Sequence, residues 1–452
     1  MLTKIAIENF KSIGKRIELE LKPLTILVGE NASGKSSILE ALCLLVQSIW
    51  SSGYDIFGNR YPSFVKYPGL RDIAHKNNLK NPISIEVHVK PNEKEKEELL
   101  EIAKKINSSN LEILIDGEIK SIGYRYSYSV VDSFAFVEQE VFCNEKKIIA
   151  VGTKRLSESS FVPVFTFPPI LKDTRINGPI DSILNYATFE QQPEPTGKIP
   201  REPAKPLNDF AVKVVKIIVS KLRPESYKSK VYFLSAQRGE IEPEISTAMD
   251  YYWVGKKGEY LLVILSKVSA PENEQKKKKI AEWALKFGIE NPWAGWVGSN
   301  KASGEFVDAK LKHPLNLAFA SFGSSQILTV ITQLFWSEEG DIILIEEPEI
   351  SIHPKGQAML PELFADAIME GKQVIITTHS GYLPLALTRA LKKGLKVEDI
   401  AVYEVTKDGE GTKVKKKEIN ERGYIKGYID SFYEVEEELA KDWAKSIKPA
   451  EE

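Results

Sequence analysis

A chain of 452 residues, 42% apolar and 27% charged, has the length and composition of two or three globular modules around large cores, which excludes a disulfide-stapled miniprotein and a disordered polyelectrolyte. Its 61 Lys and Arg against 63 Asp and Glu leave a formal charge of -2, so any affinity for nucleic acid has to come from a local patch. Cys43 and Cys143 are too few for a disulfide framework or a Cys-rich zinc site, and no apolar run approaches the roughly 20 residues of a membrane helix, so the expected location is the cytoplasm, with no membrane partner.

In chain order, the pattern predicts a strand over Leu2–Ile7, a turn at Asn9–Gly14 and a second strand over Ile17–Leu21. The unbroken apolar run Leu24–Val28 predicts a strand buried on both faces. It stops at Gly29, and from Ser36 the residues Ile38, Leu39, Leu42, Leu45, Val46 and Ile49 recur at helical spacing. A loop over Gly53–Asn81, a strand over Ile83–Val89 and a charged helix near Lys94–Ile106 follow, the helix too short for a long coiled-coil arm. Residues 111–151 look antiparallel: Tyr124–Val130 alternates, and Val137–Phe142 pairs with Ile148–Val151 across Asn144–Lys147. Five prolines between Pro193 and Pro206 predict an extended surface loop, with peptide recognition as the alternative. A helix over Ala211–Leu222 and a strand over Lys230–Leu234 come next. Lys276–Lys279 lie at a helix start, as a solvated helix end or, alternatively, a nucleic-acid contact. A helix (Ser325–Trp336), a strand (Ile342–Ile345), a helix (Gly356–Met369) and a strand (Val374–Thr377) then resume an α/β sheet after a long insertion.

Gly29, Glu30, Asn31, Ala32, Ser33, Gly34, Lys35 and Ser36 satisfy G-x-x-x-x-G-K-[ST] in a strand-loop-helix setting, and Ser37 follows on the same helix start. The two glycines let the loop curl until its backbone N–H groups face phosphate oxygens, and the helix end adds its positive pole. Lys35 supplies a cation for the β- and γ-phosphates, and the Ser36 hydroxyl is the expected Mg²⁺ ligand. The chemistry expected is ATP with Mg²⁺.

The apolar strand Ile342–Ile345 runs into Glu346 and Glu347, a pairing that suits a metal ligand followed by a residue that deprotonates attacking water; read alone, two acids at a strand end are equally well solvent-facing. Upstream, Ser321-Phe322-Gly323-Ser324-Ser325-Gln326 is a small-residue turn at a helix mouth, fit either to present hydroxyls and N–H groups to an anion or simply to cap the helix. Downstream, His379 follows the next buried strand, where it can donate to a γ-phosphate or serve as an ordinary satisfied polar residue.

Together these motifs resemble the ATP-binding-cassette class of ATPases, in the soluble branch that includes RecF and the structural-maintenance-of-chromosomes (SMC) proteins. The segments IENFKS…LTILVGENASGKSSILEAL and FGSSQIL…ILIEEPEISIHPKGQ…ITTHS are similar to the compact prokaryotic "AAA family" ATPases of that branch, which lack a Toprim nuclease. The resemblance implies an α/β P-loop fold with an ABC-type head, a central mostly parallel sheet plus an antiparallel β lobe, and an inserted helical cap. The expected division is a head from 1–90 and 310–452, a β-rich lobe with the Pro-rich loop from 91–229, and a cap with the Q-loop region from 230–309. By the same resemblance Glu346 takes the Walker B metal position, Glu347 the catalytic-base position and His379 that of the switch histidine. Ser321, Gly323, Ser324 and Gln326 match the signature that completes another subunit's nucleotide site, and His353 falls in the D-loop. Gln237 resembles the Q-loop glutamine, with Arg238 beside it or a residue elsewhere as the alternative. Two departures stand out: Glu346 replaces the usual Walker B Asp, and the signature lacks its double glycine.

The function implied is an ATPase whose two copies close around two ATP molecules, in DNA repair, DNA maintenance or antiphage defence, with a separate nuclease or toxin as effector. The alternative is a nucleotide-gated scaffold or sensor with slow hydrolysis and no DNA contact. A small-molecule kinase would leave the signature and His379 unexplained. The residues after His379 contain no Asp-x-Asp metal pair, so no nuclease is expected in the chain.

Overall fold

The computed structural model describes residues 1–50, 63–105, 118–131, 134–155, 161–166, 204–222, 230–246, 251–297, 301–427, 429 and 437–444. The Pro-rich stretch up to residue 203 and the first part of the 53–81 loop lie outside these residues. The chain forms two units, one of residues 1–21, 37–231 and 408–412, the other of residues 22–36, 232–407 and 413–452.

The first unit holds β1 (Leu2–Glu8), β2 (Ile17–Glu20), β4 (Ile83–Val89), β5 (Ile122–Val131), β6 (Phe134–Cys143), β7 (Lys146–Arg155) and β8 (Phe161–Thr166). Among the described residues they form one sheet in the order β2-β1-β4-β5-β6-β7-β8, antiparallel throughout. The β6–β7 hairpin closes over Asn144 and Glu145, both at positive φ (47° and 64°), the geometry of a two-residue turn that matches strand twist. Two helices, Glu93–Lys105 and Ala204–Leu222, pack together, with Lys221 paired to Glu95 at 2.6 Å. The second begins seven positions before the expected Ala211, because Pro206 lies in its first turn, where the missing N–H costs nothing.

In the second unit the strands run β17 (Gly411–Lys417), β16 (Ile400–Asp408), β3 (Leu24–Val28), β15 (Gln373–Thr378), β14 (Ile342–Glu346) and β9 (Val231–Leu234), in that spatial order. β16, β3, β15 and β14 are mutually parallel, and β3, β14 and β15 are buried along their whole length, which is why they read as unbroken apolar runs. Register positions the site: Val28 pairs with Thr378, and Glu346 with Thr377. The loops leaving β3, β14 and β15 therefore emerge side by side at the carboxyl edge, where parallel sheets place their ligand crevice.

The pattern predicts two helices in the last third of the chain, and the structure adds Tyr382–Leu385 and Leu387–Lys393, which were not anticipated. Phe322–Trp336 is helical, but the expected helix Gly356–Met369 is two pieces, Pro354–Gln357 and Leu360–Met369. Pro361 has no N–H to donate to the Gln357 carbonyl four residues back, so the hydrogen-bond ladder is interrupted and the helix restarts with Pro361 in its first turn. Residues 230–309 contain the cap helices Leu261–Val268 and Glu274–Lys286 and add a small antiparallel sheet, β10 (Ile245–Ser246), β12 (Lys301–Asp308) and β11 (Ile289–Val297), with β13 (Pro314–Asn316) against β12.

Candidate functional site

The phosphate loop turns sharply at Gly29, whose φ is +157° and where a Cβ would fall on the Val405 carbonyl oxygen, so only glycine permits this approach of the loop to β16. Ala32 (φ 59°) and Gly34 (φ 109°) complete the curl, with Glu30, Asn31 and Ala32 exposed at its tip and Ser33 buried. Lys35, only 4% exposed, donates to the carbonyls of Gly29 (2.8 Å) and Glu30 (2.7 Å). Burial lowers its pKa to about 8, against the opposing pull of Glu347, Glu349 and Glu30. Ser36 is exposed in the first helical turn, whereas the buried Ser37 hydroxyl accepts from Ser12 Oγ at 3.2 Å and is a packing residue.

At the end of β14 the backbone of Glu347 enters the left-handed region (φ 44°), an uncommon conformation for a residue with a side chain. It is held on both sides: its N–H donates to Thr377 O at 2.9 Å, and its carbonyl accepts from Arg238 Nη2 at 2.9 Å. This turn re-aims the second carboxylate, which in a straight strand would face away from its neighbour's side. Glu347 Oε1 lies 2.9 Å from His379 Nε2, and His379 Nδ1 lies 3.4 Å from Lys35 Nζ. These partners assign the imidazole proton to Nε2, which donates to Glu347, while Nδ1 accepts from the ammonium. The His379 hydrogen bond holds the Glu347 carboxyl below its ordinary pKa despite partial burial. Lys35, His379 and Glu347 thus form one continuous polar chain across β3, β15 and β14.

Glu346 is largely buried, with Oε2 accepting from the Ala236 N–H at 3.2 Å. The loop after β9 supplies that contact, but Gln237 itself is exposed, and its carbonyl accepts from Ser235 Oγ at 3.0 Å. The neighbouring Arg238, 1% exposed, reaches the Ser235, Glu346 and Glu347 carbonyls at 2.8, 2.6 and 2.9 Å. Burial draws its pKa down to about 10, opposed by the three nearby carboxylates of Glu349, Glu346 and Glu347. Of the two neighbours named from sequence, Gln237 and Arg238, it is Arg238 that grips the acidic strand end.

Glu349 was not anticipated. It is 6% exposed, and its Oε1 accepts from Thr378 Oγ1 (2.7 Å), the His379 N–H (2.7 Å) and the Ser380 N–H (3.1 Å). The only sequence signal was a third acid closely following Glu346 and Glu347, and after Pro348 it reads as a solvent-facing turn residue. Glu347, Glu349, Ser351, Gln357, His379 and Tyr382 line part of a cavity of about 590 Å³.

The serine turn caps the Phe322–Trp336 helix: Ser321 Oγ accepts from the Ser324 N–H at 3.2 Å and lies 2.8 Å from Ser324 Oγ. A Cβ on Gly323 would collide with the Ser351 carbonyl oxygen, so glycine is required where the helix mouth meets the turn after Glu349. Gln326 does not share the surface of this turn; it is fully buried, packed on the backbone of Gly239. His353 is exposed, with Nδ1 accepting from the Lys355 N–H at 3.2 Å. Ser321, Ser324, Ser351, His353 and Lys355 line part of a second cavity, of about 340 Å³, which among the described residues includes no phosphate-loop residue.

A 52-residue segment is 40% identical to the OLD nuclease of Thermus scotoductus, covering 12% of this chain and 10% of that protein, so the chain spans about a tenth of the relative it matches. Solved structures similar to the chain include an SMC head domain bound to the C-terminal winged-helix domain of ScpA, at a TM-score of 0.47 and 12% identity over 92% of this chain and 97% of that one. The SMC head domain from Thermotoga maritima aligns at 0.40 and 12% identity, over 92% and 99%. The family profile described as "AAA ATPase domain" matches residues 1–162 and 215–383, about three quarters of the chain, and spans both the phosphate loop and His379. The chain is therefore an α/β P-loop protein that belongs to the AAA ATPase domain family.

Proposed function

We propose that the protein binds and hydrolyses ATP at the Lys35–His379–Glu347 chain, and that two copies pair around two nucleotides. The observation that carries this reading is the connection itself: a phosphate-loop ammonium, an imidazole and an ionised carboxylate in hydrogen-bonding sequence at the carboxyl edge of a parallel sheet. In the reading, the loop N–H groups and Lys35 hold the β- and γ-phosphates, Glu347 accepts a proton from the attacking water, and His379 orients Glu347 and meets the γ-phosphate. Ser36 and Glu346 would hold Mg²⁺, which supplies neutralisation of phosphate charge when bound. The donor set, one hydroxyl and one carboxylate, fits that ion, since Mg²⁺ typically takes one or two protein ligands with the rest from phosphate and water.

Pairing is supported by the lining of the serine-bordered cavity. Ser321 and Ser324 border a cavity that adjoins the Glu347–His379 cavity at Ser351 but includes, among the described residues, no phosphate-loop residue, so in this reading the serine corner reaches a nucleotide held at Lys35 of a second copy. Gln326 is left out of this contact, since its side chain stays inside its own subunit. DNA maintenance or defence with a separate effector is the process in which such a cycle would serve. Among the described residues no helix is long and apolar enough to cross a membrane.

The direct test is phosphate release from ATP by the full chain with and without Mg²⁺. Turnover that needs Mg²⁺ and disappears in Glu347→Gln is expected; turnover equal in that variant would end the reading.

A further inference from the structure

We infer that Glu349 is a positioning residue for His379: one carboxylate oxygen clamps the backbone on both sides of the imidazole and so sets its reach to Glu347 and Lys35. The inference rests on the reading that His379 and Glu347 serve ATP turnover. Glu349 Oε1 takes the N–H groups of His379 (2.7 Å) and Ser380 (3.1 Å), together with Thr378 Oγ1 (2.7 Å). The two backbone donors belong to consecutive peptide planes flanking the His379 Cα, so the backbone torsions that aim its side chain are pinned from one point. The carboxylate is itself held by a closed turn, in which the Ile350 N–H donates to Glu347 O (3.2 Å) and the Ile352 N–H to Glu349 O (3.0 Å). The same turn therefore carries both the carboxylate that His379 touches and the one that holds His379.

A buried anion suits this position better than an amide or a hydroxyl. Three donors converge on one oxygen, and charge-assisted hydrogen bonds to a carboxylate are shorter and about twice as strong as neutral ones. The carboxylate also faces the buried cations Lys35 and Arg238, both of which it favours in the charged form. Glu349 touches none of the reacting atoms in this arrangement and acts through the histidine.

The test is a double-mutant cycle in the full chain, reading steady-state ATP turnover and the binding of a fluorescent ATP analogue. Glu349→Ala is expected to lower kcat roughly a hundredfold, the scale of loss for a misplaced catalytic group, while KM stays within about threefold. Glu349→Gln keeps a carbonyl oxygen for the same donors, with weaker hydrogen bonds, and should recover part of the turnover that Glu349→Ala loses. In a His379→Ala background, Glu349→Ala should cost nothing more, because the two side chains act as one unit. An undiminished kcat in Glu349→Ala overturns the inference, as does a loss of equal size in both backgrounds. If Glu349→Ala does not fold, Glu349→Asp, which withdraws the same oxygen by one methylene, should show the kcat loss at unchanged KM, and wild-type kcat in that variant overturns the inference equally. A His379→Ala variant as active as the wild type would instead remove the reading beneath it, a result separable from the others because it needs no change at Glu349.

Discussion

Lys35 concentrates the chemistry of the site in one ammonium, buried and satisfied by loop carbonyls, with a pKa lowered to about 8. The sign of its pH dependence follows: the ammonium is charged below that value and loses its proton above it, whereas the Glu347 carboxyl, lowered by His379, stays ionised throughout. The kcat/KM for ATP should therefore hold between pH 6.5 and 7.5 and decline above about pH 8. A profile that stays flat to pH 10 would show that Lys35 does not meet the phosphates. Lys35→Ala should abolish binding of a fluorescent ATP analogue while leaving the thermal unfolding midpoint nearly unchanged or raised, since the burial cost of the ammonium is only partly offset by its carbonyl acceptors and the nearby carboxylates. The phosphate loop, Glu347 and His379 were legible as residues because each stands in a short local pattern, a Gly-Lys turn or the end of an apolar run. Arg238 was visible only as an alternative, and Glu349 was hidden, because their partners lie 108 and 30 positions away in the chain.

Among the elements, the loops are held to the sheet by contacts that tolerate little change. Arg238 ties the loop after β9 to the end of β14 through three carbonyls. Arg238→Met keeps the aliphatic bulk but removes three charge-assisted hydrogen bonds to buried carbonyls, and should destabilise the protein by about 3–5 kcal/mol, read from denaturant unfolding. The same change should slow turnover, since the left-handed turn at Glu347 loses one of the two donors to its carbonyl, the Ile350 N–H remaining. Gly323 makes the second tight contact, between the serine turn and the Ser351 carbonyl. Gly323→Ala should cost about 1–3 kcal/mol by overpacking, seen as a lower unfolding midpoint, with no loss of nucleotide binding at Lys35. A midpoint equal to that of the wild type would mean that the helix mouth can back away from Ser351 at no cost. Periodicity marked the types of the elements it singled out, but it missed β11 and β12 inside a segment expected to be a helical cap and β16 and β17 after His379, and two boundaries near proline were misplaced, Pro206 tolerated in a first helical turn and Pro361 interrupting a run that looked continuous.

For the whole molecule, the pairing of two copies makes a prediction that no single-residue measurement can replace. Glu347→Gln keeps the hydrogen-bonding shape toward His379 but removes the base, so ATP should bind and persist, and light scattering after size exclusion should show twice the mass only when ATP is present. A Glu347→Gln variant that stays at the mass of one chain with saturating ATP would refute the paired arrangement. Contact with DNA is a separate matter: the formal charge of -2 offers no overall attraction, so mobility shifts should either fall steeply with salt, from a local basic patch, or be absent, as for a pure scaffold.

The run Leu24–Val28, the glycines at 29 and 34, and the helical spacing from Ile38 to Ile49 specify a strand, an anion-cradling loop and a helix without help from the rest of the chain, because all the forces involved act within about one supersecondary unit. That much, with the family it implies, belonged to the sequence alone. Tertiary structure decided which groups meet: the parallel register of β3, β15 and β14 sets Lys35, His379 and Glu347 in line, buries Gln326, turns Arg238 inward and brings Glu349 under the histidine. The reason is physical. Hydrogen bonds between distant segments are chosen by strand order and register, and neither quantity is encoded in the local pattern of any one strand.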